Sequence, residues 1–151
     1  MERRLQGINP GAGISRFSAA MVRQYGLDQA GYHVEPGSEE DCFGAFERAV
    51  ADGKWIVVPL WHPHYLHYRH GIRPLRDPLG LLGGEDAATL LMRHDAAAKL
   101  RPQLIAELQD LTIGNEGITK LDHQIRVENK SPDQAARHWL VDCARTAASA
   151  A

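Results

Sequence analysis

The chain has 151 residues, 44% hydrophobic and 24% charged, with Lys plus Arg at 17 against Asp plus Glu at 19. That length suits one domain able to bury roughly 70% of its unfolded surface. The formal charge of −2 argues against a nucleic-acid binder held by net positive charge, and no run approaches the ~20 apolar residues that span a bilayer.

Along the chain, Arg4 to Ile8 is a strand candidate, and Asn9-Pro10-Gly11-Ala12-Gly13 turns it. Ile14 to Tyr25 follows with helical spacing: Phe17, Met21 and Val22 share a face with Ile14 and Tyr25, and Gly26 is a natural stop. Tyr32-His33-Val34 reads as a second short strand, closed by Pro36-Gly37. Ser38 stands where an N-cap would, with Asp41 three residues on and Glu39 and Glu40 in the first turn. This helix runs to about Asp52, with Phe43, Phe46 and Val50 on one side and Gly53 ending it. Trp55 to Trp61 is almost wholly apolar and predicts a strand buried on both faces, as in a parallel sheet. The order β-loop-α-β-α-β is the rhythm of an α/β sheet with flanking helices.

After Trp61 the texture changes. His62 to Arg76 is aromatic and basic, and Asp77-Pro78-Leu79-Gly80 with Gly83-Gly84 makes a loop. Ala87 to Met92 is a further strand candidate. From about Asp95 the pattern is helical. Leu100, Leu104, Leu108 and Leu111 mark one helix with Pro102 in its first turn; Ile118, Leu121 and Ile125, extending to Val127, mark another. Ser131 as N-cap and Pro132 at the first helical position open the last, with Ala135, Trp139 and Leu140 as its inner stripe. The Ala-rich tail over 146–151 is expected to fray.

Two segments could carry chemistry. Gly11, Ala12 and Gly13 let a ligand approach the backbone, and the helix behind them offers amide donors and a positive dipole end, suited to a carboxylate or phosphate. The third glycine of a dinucleotide fingerprint is absent, as is a P-loop Lys; the plainer reading is a strand-to-helix turn. Trp61-His62-Pro63-His64-Tyr65 follows the strongest strand candidate, where ligand crevices of open α/β sheets lie. A Trp face with Tyr attracts cations, quaternary ammonium above all, and a neighbouring His can donate to a carboxylate. The alternative is that these aromatics fill a core beneath the loop.

Of eight histidines, four lie between His62 and His70, and His64, His67 and His70 are spaced at three. The cluster holds no Cys or acid, so a purposeful metal site is not assigned, and a His-rich metal-binding protein is kept as a further alternative. No nucleophile elbow or His-Glu-x-x-His appears, so no catalytic residue is assigned. Cys42 and Cys143 allow one disulfide at most; Cys42, mid-helix beside Phe43, reads as a packed thiol. The N-terminal Met-Glu-Arg-Arg-Leu-Gln-Gly is not a secretory signal.

Gly7-Ile-Asn-Pro-Gly-Ala-Gly-Ile14, Trp55 to Tyr65, Ile72-Arg-Pro-Leu-Arg-Asp-Pro-Leu-Gly80 and Ser131-Pro-Asp-Gln-Ala-Ala-Arg-His-Trp139, in order over nearly the whole chain, resemble the substrate-binding proteins of glycine betaine/proline-type ABC transporters. The resemblance implies a type II-like periplasmic binding fold in which two α/β lobes close over an osmoprotectant. It further implies that Trp61 or Tyr65 lines an aromatic cage for the quaternary ammonium, that His64 meets the carboxylate, and that the Gly11-Ala12-Gly13 turn lines the cleft. The ligand would be glycine betaine, choline, carnitine or proline betaine, the partner a transporter permease, the location periplasmic or extracytoplasmic, and the protein not an enzyme.

Family members are about twice this length, and Met1 falls just before the Ile-Asn-Pro-Gly strand. The chain therefore reads as truncated: a lobe-two-like segment over 1–62, then the returning, mostly helical part of lobe one over 63–145. A fragment, a shortened reading frame or a natural short relative would all give this pattern. An incomplete lobe exposes apolar surface from about Ala87 to Leu140, so the chain is expected to dimerise, swap elements or pair with a separate N-terminal half. A truncated relative serving as an interaction or regulatory subunit is the second reading.

Overall fold

A computed structural model describes residues 3–149, with side chains through Arg145; the expected fraying over 146–151 falls outside the described side chains. The chain forms β1 (Arg4–Gln6), α1 (Gly13–Gln24), β2 (His33–Glu35), α2 (Glu39–Ala51), α3 (Leu66–Arg69), α4 (His94–Ala97), α5 (Pro102–Asp110), α6 (Gly114–Arg126) and α7 (Pro132–Ser149). These fall into two compact units. Unit 1 is 1–60 with 75–85, and unit 2 is 61–74 with 86–151.

In unit 1, β1 and β2 pair in parallel with Leu5 opposite Val34. The ladder continues past β1, where the Gly7 amide donates to Glu35 O at 2.8 Å. A Cβ on Gly7 would come within 3.1 Å of Val34 Cγ1 and 3.2 Å of Glu35 O, so this crossing is tight for a side chain. The predicted strand Trp55–Trp61 is reduced to one parallel bridge, Leu5 to Val57, with Gln6 N donating to Val57 O at 3.3 Å. Its neighbour β1 is only three residues long, and Pro59 has no amide to extend the ladder. Nor is it doubly buried: Trp55 is 78% exposed.

The α2 N-terminus forms as its sequence dictates. Asp41 N donates to Ser38 Oγ at 3.0 Å and Ser38 N donates to Asp41 Oδ2 at 2.9 Å, a reciprocal capping box. At the other end Gly53, with φ +62°, takes the left-handed turn that glycine adopts without strain. The α2 face Cys42, Phe43, Ala45 and Phe46 is buried, with Val50 left exposed. Against expectation, α1 buries Ser15, Ser18 and Val22, while Phe17 is exposed. The hydroxyls make this possible: Ser15 Oγ donates to Ile8 O at 3.1 Å and Ser18 Oγ to Ile14 O at 2.8 Å.

The 75–85 segment is tied to α1's end. The Tyr25 hydroxyl donates to Asp77 Oδ1 at 2.5 Å and accepts from Leu79 N at 3.0 Å, and Leu82 N donates to Asp77 Oδ2 at 2.8 Å. These donors hold the Asp77 carboxyl below its usual range, the Tyr25 hydroxyl foremost.

In unit 2, α3 and α7 both pack on α6. The core is Leu66, Ala135 and His64 with the polar Thr119 and Gln124. The predicted stripes shift accordingly: Ile125 and Leu140 are exposed, and only Ala135 of the α7 stripe is fully buried. Pro102 opens α5 as expected, but Leu100 and Leu111 lie outside that helix. Arg101, which precedes the proline, takes the extended conformation that proline imposes on its neighbour, so the helix starts after Leu100. Ala87–Met92 forms no strand. It is exposed throughout, Leu91 at 92%, with no described ladder partner.

Candidate functional site

The sequence-predicted site residues fall in both units, so each part is described by itself. In unit 1, Asn9 organises the glycine turn: its Oδ1 accepts from Gly11 N at 3.0 Å, and its carbonyl from Ala12 N at 3.0 Å. Ala12 is the N-cap of α1 and supplies no side-chain cap, and the first turn holds no acid. Ser15 N donates to Ala12 O at 3.1 Å, while no side-chain cap and no carboxylate of the first turn serves the α1 amides before it. Cβ atoms built on Gly11 and Gly13 would meet only ordinary contacts, with Asn9 Oδ1 at 3.5 Å and Phe17 Cε2 at 3.8 Å. Neither glycine has a positive φ. Packing and backbone geometry do not demand glycine at these positions; small side chains here leave the backbone open.

In unit 2, Trp61, His64 and Tyr65 are brought together. The Trp61 and His64 rings meet edge to face, with centroids 5.3 Å apart at 86°, and the His64 and Tyr65 rings lie 4.7 Å apart at 34°. Trp61 and Tyr65 are half-buried, whereas His64 is 2% exposed. The His62–Pro63 peptide is cis.

Burial sets the chemistry of His64. It pushes the imidazole down to about 4; Asp122 opposes that shift, and Arg126 and His67 add to it. His64 is therefore neutral near pH 7. Leu66 N donates to its Nδ1 at 3.3 Å, so Nδ1 is the acceptor nitrogen and the ring proton belongs on Nε2. The result is a neutral donor between two aromatic rings. It can hydrogen-bond an anion, though it carries no positive charge that would repel a cation beside it.

The other histidines of the cluster do not converge. His62 and His67 stack at 3.5 Å, and His67 Nε2 donates to Trp61 O at 3.2 Å. Burial, then His62, holds His67 below its usual range. Among the described residues no group of three or more His, Cys, Asp or Glu is placed to hold a metal ion. Cys42 is buried, and its thiol donates to Gln6 O at 3.4 Å. Burial, with the charge of Glu39, pushes that thiol up to about 11, which makes it unreactive. Both cysteines are free, Cys143 being exposed.

The sequence reading missed Asp122. On α6, its Oδ2 accepts from Tyr65 N at 2.8 Å and its Oδ1 from Arg126 Nε at 2.8 Å. The only sequence signal is the four-residue spacing to Arg126, which by itself reads as a surface ion pair.

Comparison with known proteins bears on the family and the fold of the chain. Residues 1–142 match the family model described as the substrate-binding domain of ABC-type glycine betaine transport systems. The glycine betaine/carnitine transport binding protein GbuC of Listeria monocytogenes is 22% identical over 136 residues, covering 90% of this chain and 45% of that protein. Lactococcal OpuAC, solved closed with glycine betaine, superposes with a TM-score of 0.74 at 24% identity, over 95% of this chain and 55% of that one. An ABC-transporter choline-binding protein solved with choline gives 0.64 at 22% identity, over 96% and 51%. These likenesses give the fold, a type II periplasmic-binding-protein α/β chain. The chain spans about half the length of the relatives it matches.

Proposed function

Because this chain belongs to the family of substrate-binding domains of ABC-type glycine betaine transport systems, we propose that it binds a quaternary-ammonium osmoprotectant such as glycine betaine, choline, carnitine or proline betaine. Trp61 or Tyr65 offers the aromatic face for the trimethylammonium group. His64 Nε2 donates to the carboxylate where the ligand has one. In unit 1, taken by itself, the Gly11-Ala12-Gly13 turn leaves main-chain donors open to an anion. The observation that carries this reading is the neutral His64 donor set between the Trp61 and Tyr65 rings. Its Nε2 lies below the surface, so a ligand reaches it only if a neighbouring side chain moves aside.

The wider role is delivery of the ligand to a transporter permease on the outer side of the cytoplasmic membrane. A binder of this kind traps ligand by contacts that favour its closed state. A chain half the length of its relatives supplies part of those contacts, so we expect it to bind weakly alone. Calorimetry with glycine betaine checks this: submicromolar affinity for the isolated monomer overturns the half-site reading. Trp61→Ala abolishes whatever binding is measured, and unchanged affinity removes Trp61 from the site.

A second reading, an interaction or regulatory subunit, is favoured by apolar side chains left in solvent, with Leu90 70%, Leu91 92% and Leu140 59% exposed. On that reading the chain pairs with a second copy or with a separate N-terminal half, and co-purification with such a half supports it.

A further inference from the structure

The group that holds the Trp61–Tyr65 loop stands on α6, far from the loop in sequence. Asp122 and Tyr65 are 57 residues apart, yet the carboxylate accepts the Tyr65 amide at 2.8 Å. The next amide, that of Leu66, donates to His64 Nδ1 at 3.3 Å. Leu66 itself is fully buried, so the main chain at this point has little freedom to drift. Two successive amides are thus committed, one to Asp122 and one to the imidazole. Rotation of the peptide before Tyr65 changes the course of the chain into Leu66, and with it the donor that selects the His64 tautomer.

Asp122 is not explained as a surface ion pair. Its side chain is 24% exposed against 50% for Arg126, and an exposed i,i+4 pair contributes little. Its two oxygens divide the work: one meets Arg126, the other the loop.

We propose that Asp122 is the positioning residue of the Trp61–Tyr65 loop: it touches no ligand, and through the Tyr65 and Leu66 amides it keeps the His64 imidazole oriented with its proton on Nε2. This rests on the reading above that the loop binds the ligand, and it names the residue outside the loop on which that binding depends.

The test uses the full chain, 15N-labelled, with glycine betaine as the probe. In the wild type the His64 nitrogens report the Nε2–H tautomer. Asp122→Ala removes both contacts. The Tyr65 amide then exchanges with solvent at least about tenfold faster, the His64 nitrogen shifts move towards a tautomer average, and glycine betaine affinity followed by NMR titration falls about tenfold. Asp122→Asn keeps an acceptor for Tyr65, and Arg126→Ala removes only the ion pair; both stay within about twofold of wild type. Asp122→Glu keeps the charge but displaces the oxygen by a methylene, and serves as the companion to Asp122→Ala if that variant does not fold; it follows Asp122→Ala. The proposal is overturned if Asp122→Ala leaves the Tyr65 exchange and the His64 tautomer unchanged, or if Asp122→Asn falls as far as Asp122→Ala. A wild type that does not respond to glycine betaine, or a Trp61→Ala variant that responds as wild type does, sinks the ligand reading instead, while the tautomer and exchange measurements still decide the role of Asp122.

Discussion

His64 shows how one side chain ties stability to pH. In the unfolded chain its imidazole titrates near 6.5, and in the fold near 4, because burial disfavours the charged form. Between these values the unfolded state holds the proton and the folded state does not, so stability rises with pH across that window. Acidification from pH 7 through 6.5 towards 4 therefore costs about 3 kcal/mol at this site. His67, lowered as well, acts in the same direction. Carboxylates lowered by their partners, such as Asp77, act below that window, as they take up protons. Denaturant unfolding at a series of pH values measures the slope, and His64→Gln flattens most of it between pH 6.5 and 4. An unchanged slope shows that His64 is not the group responsible. The same neutrality suits the proposed site, since a charged imidazole beside a trimethylammonium group would repel it.

At the level of the elements, α2 is where the sequence speaks most plainly. Its start is written in Ser38 and Asp41, three residues apart, and both reciprocal bonds form. Ser38→Ala removes the Oγ acceptor and lowers stability by about 1 kcal/mol, read as a drop in the unfolding midpoint with the denaturant slope unchanged. Helices announce themselves through such local bonds, which is why α1, α2, α6 and α7 were legible from caps, stops and spacing. Strands depend on a partner elsewhere in the chain. Trp55–Trp61 has the composition of a buried strand, but it finds only Leu5 to bridge with, and Ala87–Met92 finds no described partner. The site divided in the same way. The cluster of Trp61, His64 and Tyr65 was legible because it is local in sequence. Asp122 was not, because its meaning lies in a contact with Tyr65 that no spacing encodes.

At the scale of the whole molecule, the chain has more apolar surface in water than its ordinary composition suggests. Leu90, Leu91 and Met92 run consecutively at 70%, 92% and 42% exposure, and Leu140 and Val141 at 59% and 48%. Surfaces of this kind drive association. Light scattering across a concentration series is expected to give a mass above 16.7 kDa, lowered by Leu91→Glu; a constant monomer mass removes the self-association reading. The interleaving of the two units bears on how the protein is made. Unit 1 takes 1–60 and then 75–85, with 61–74 belonging to unit 2. On the ribosome Tyr25 emerges long before Asp77, so unit 1 waits, its helix end unclasped, until synthesis has passed the first stretch of unit 2. Unit 1 is completed only after the first stretch of unit 2 has been made, so if the domains fold in chain order, 61–74 must stay uncommitted until the helices after residue 85 follow.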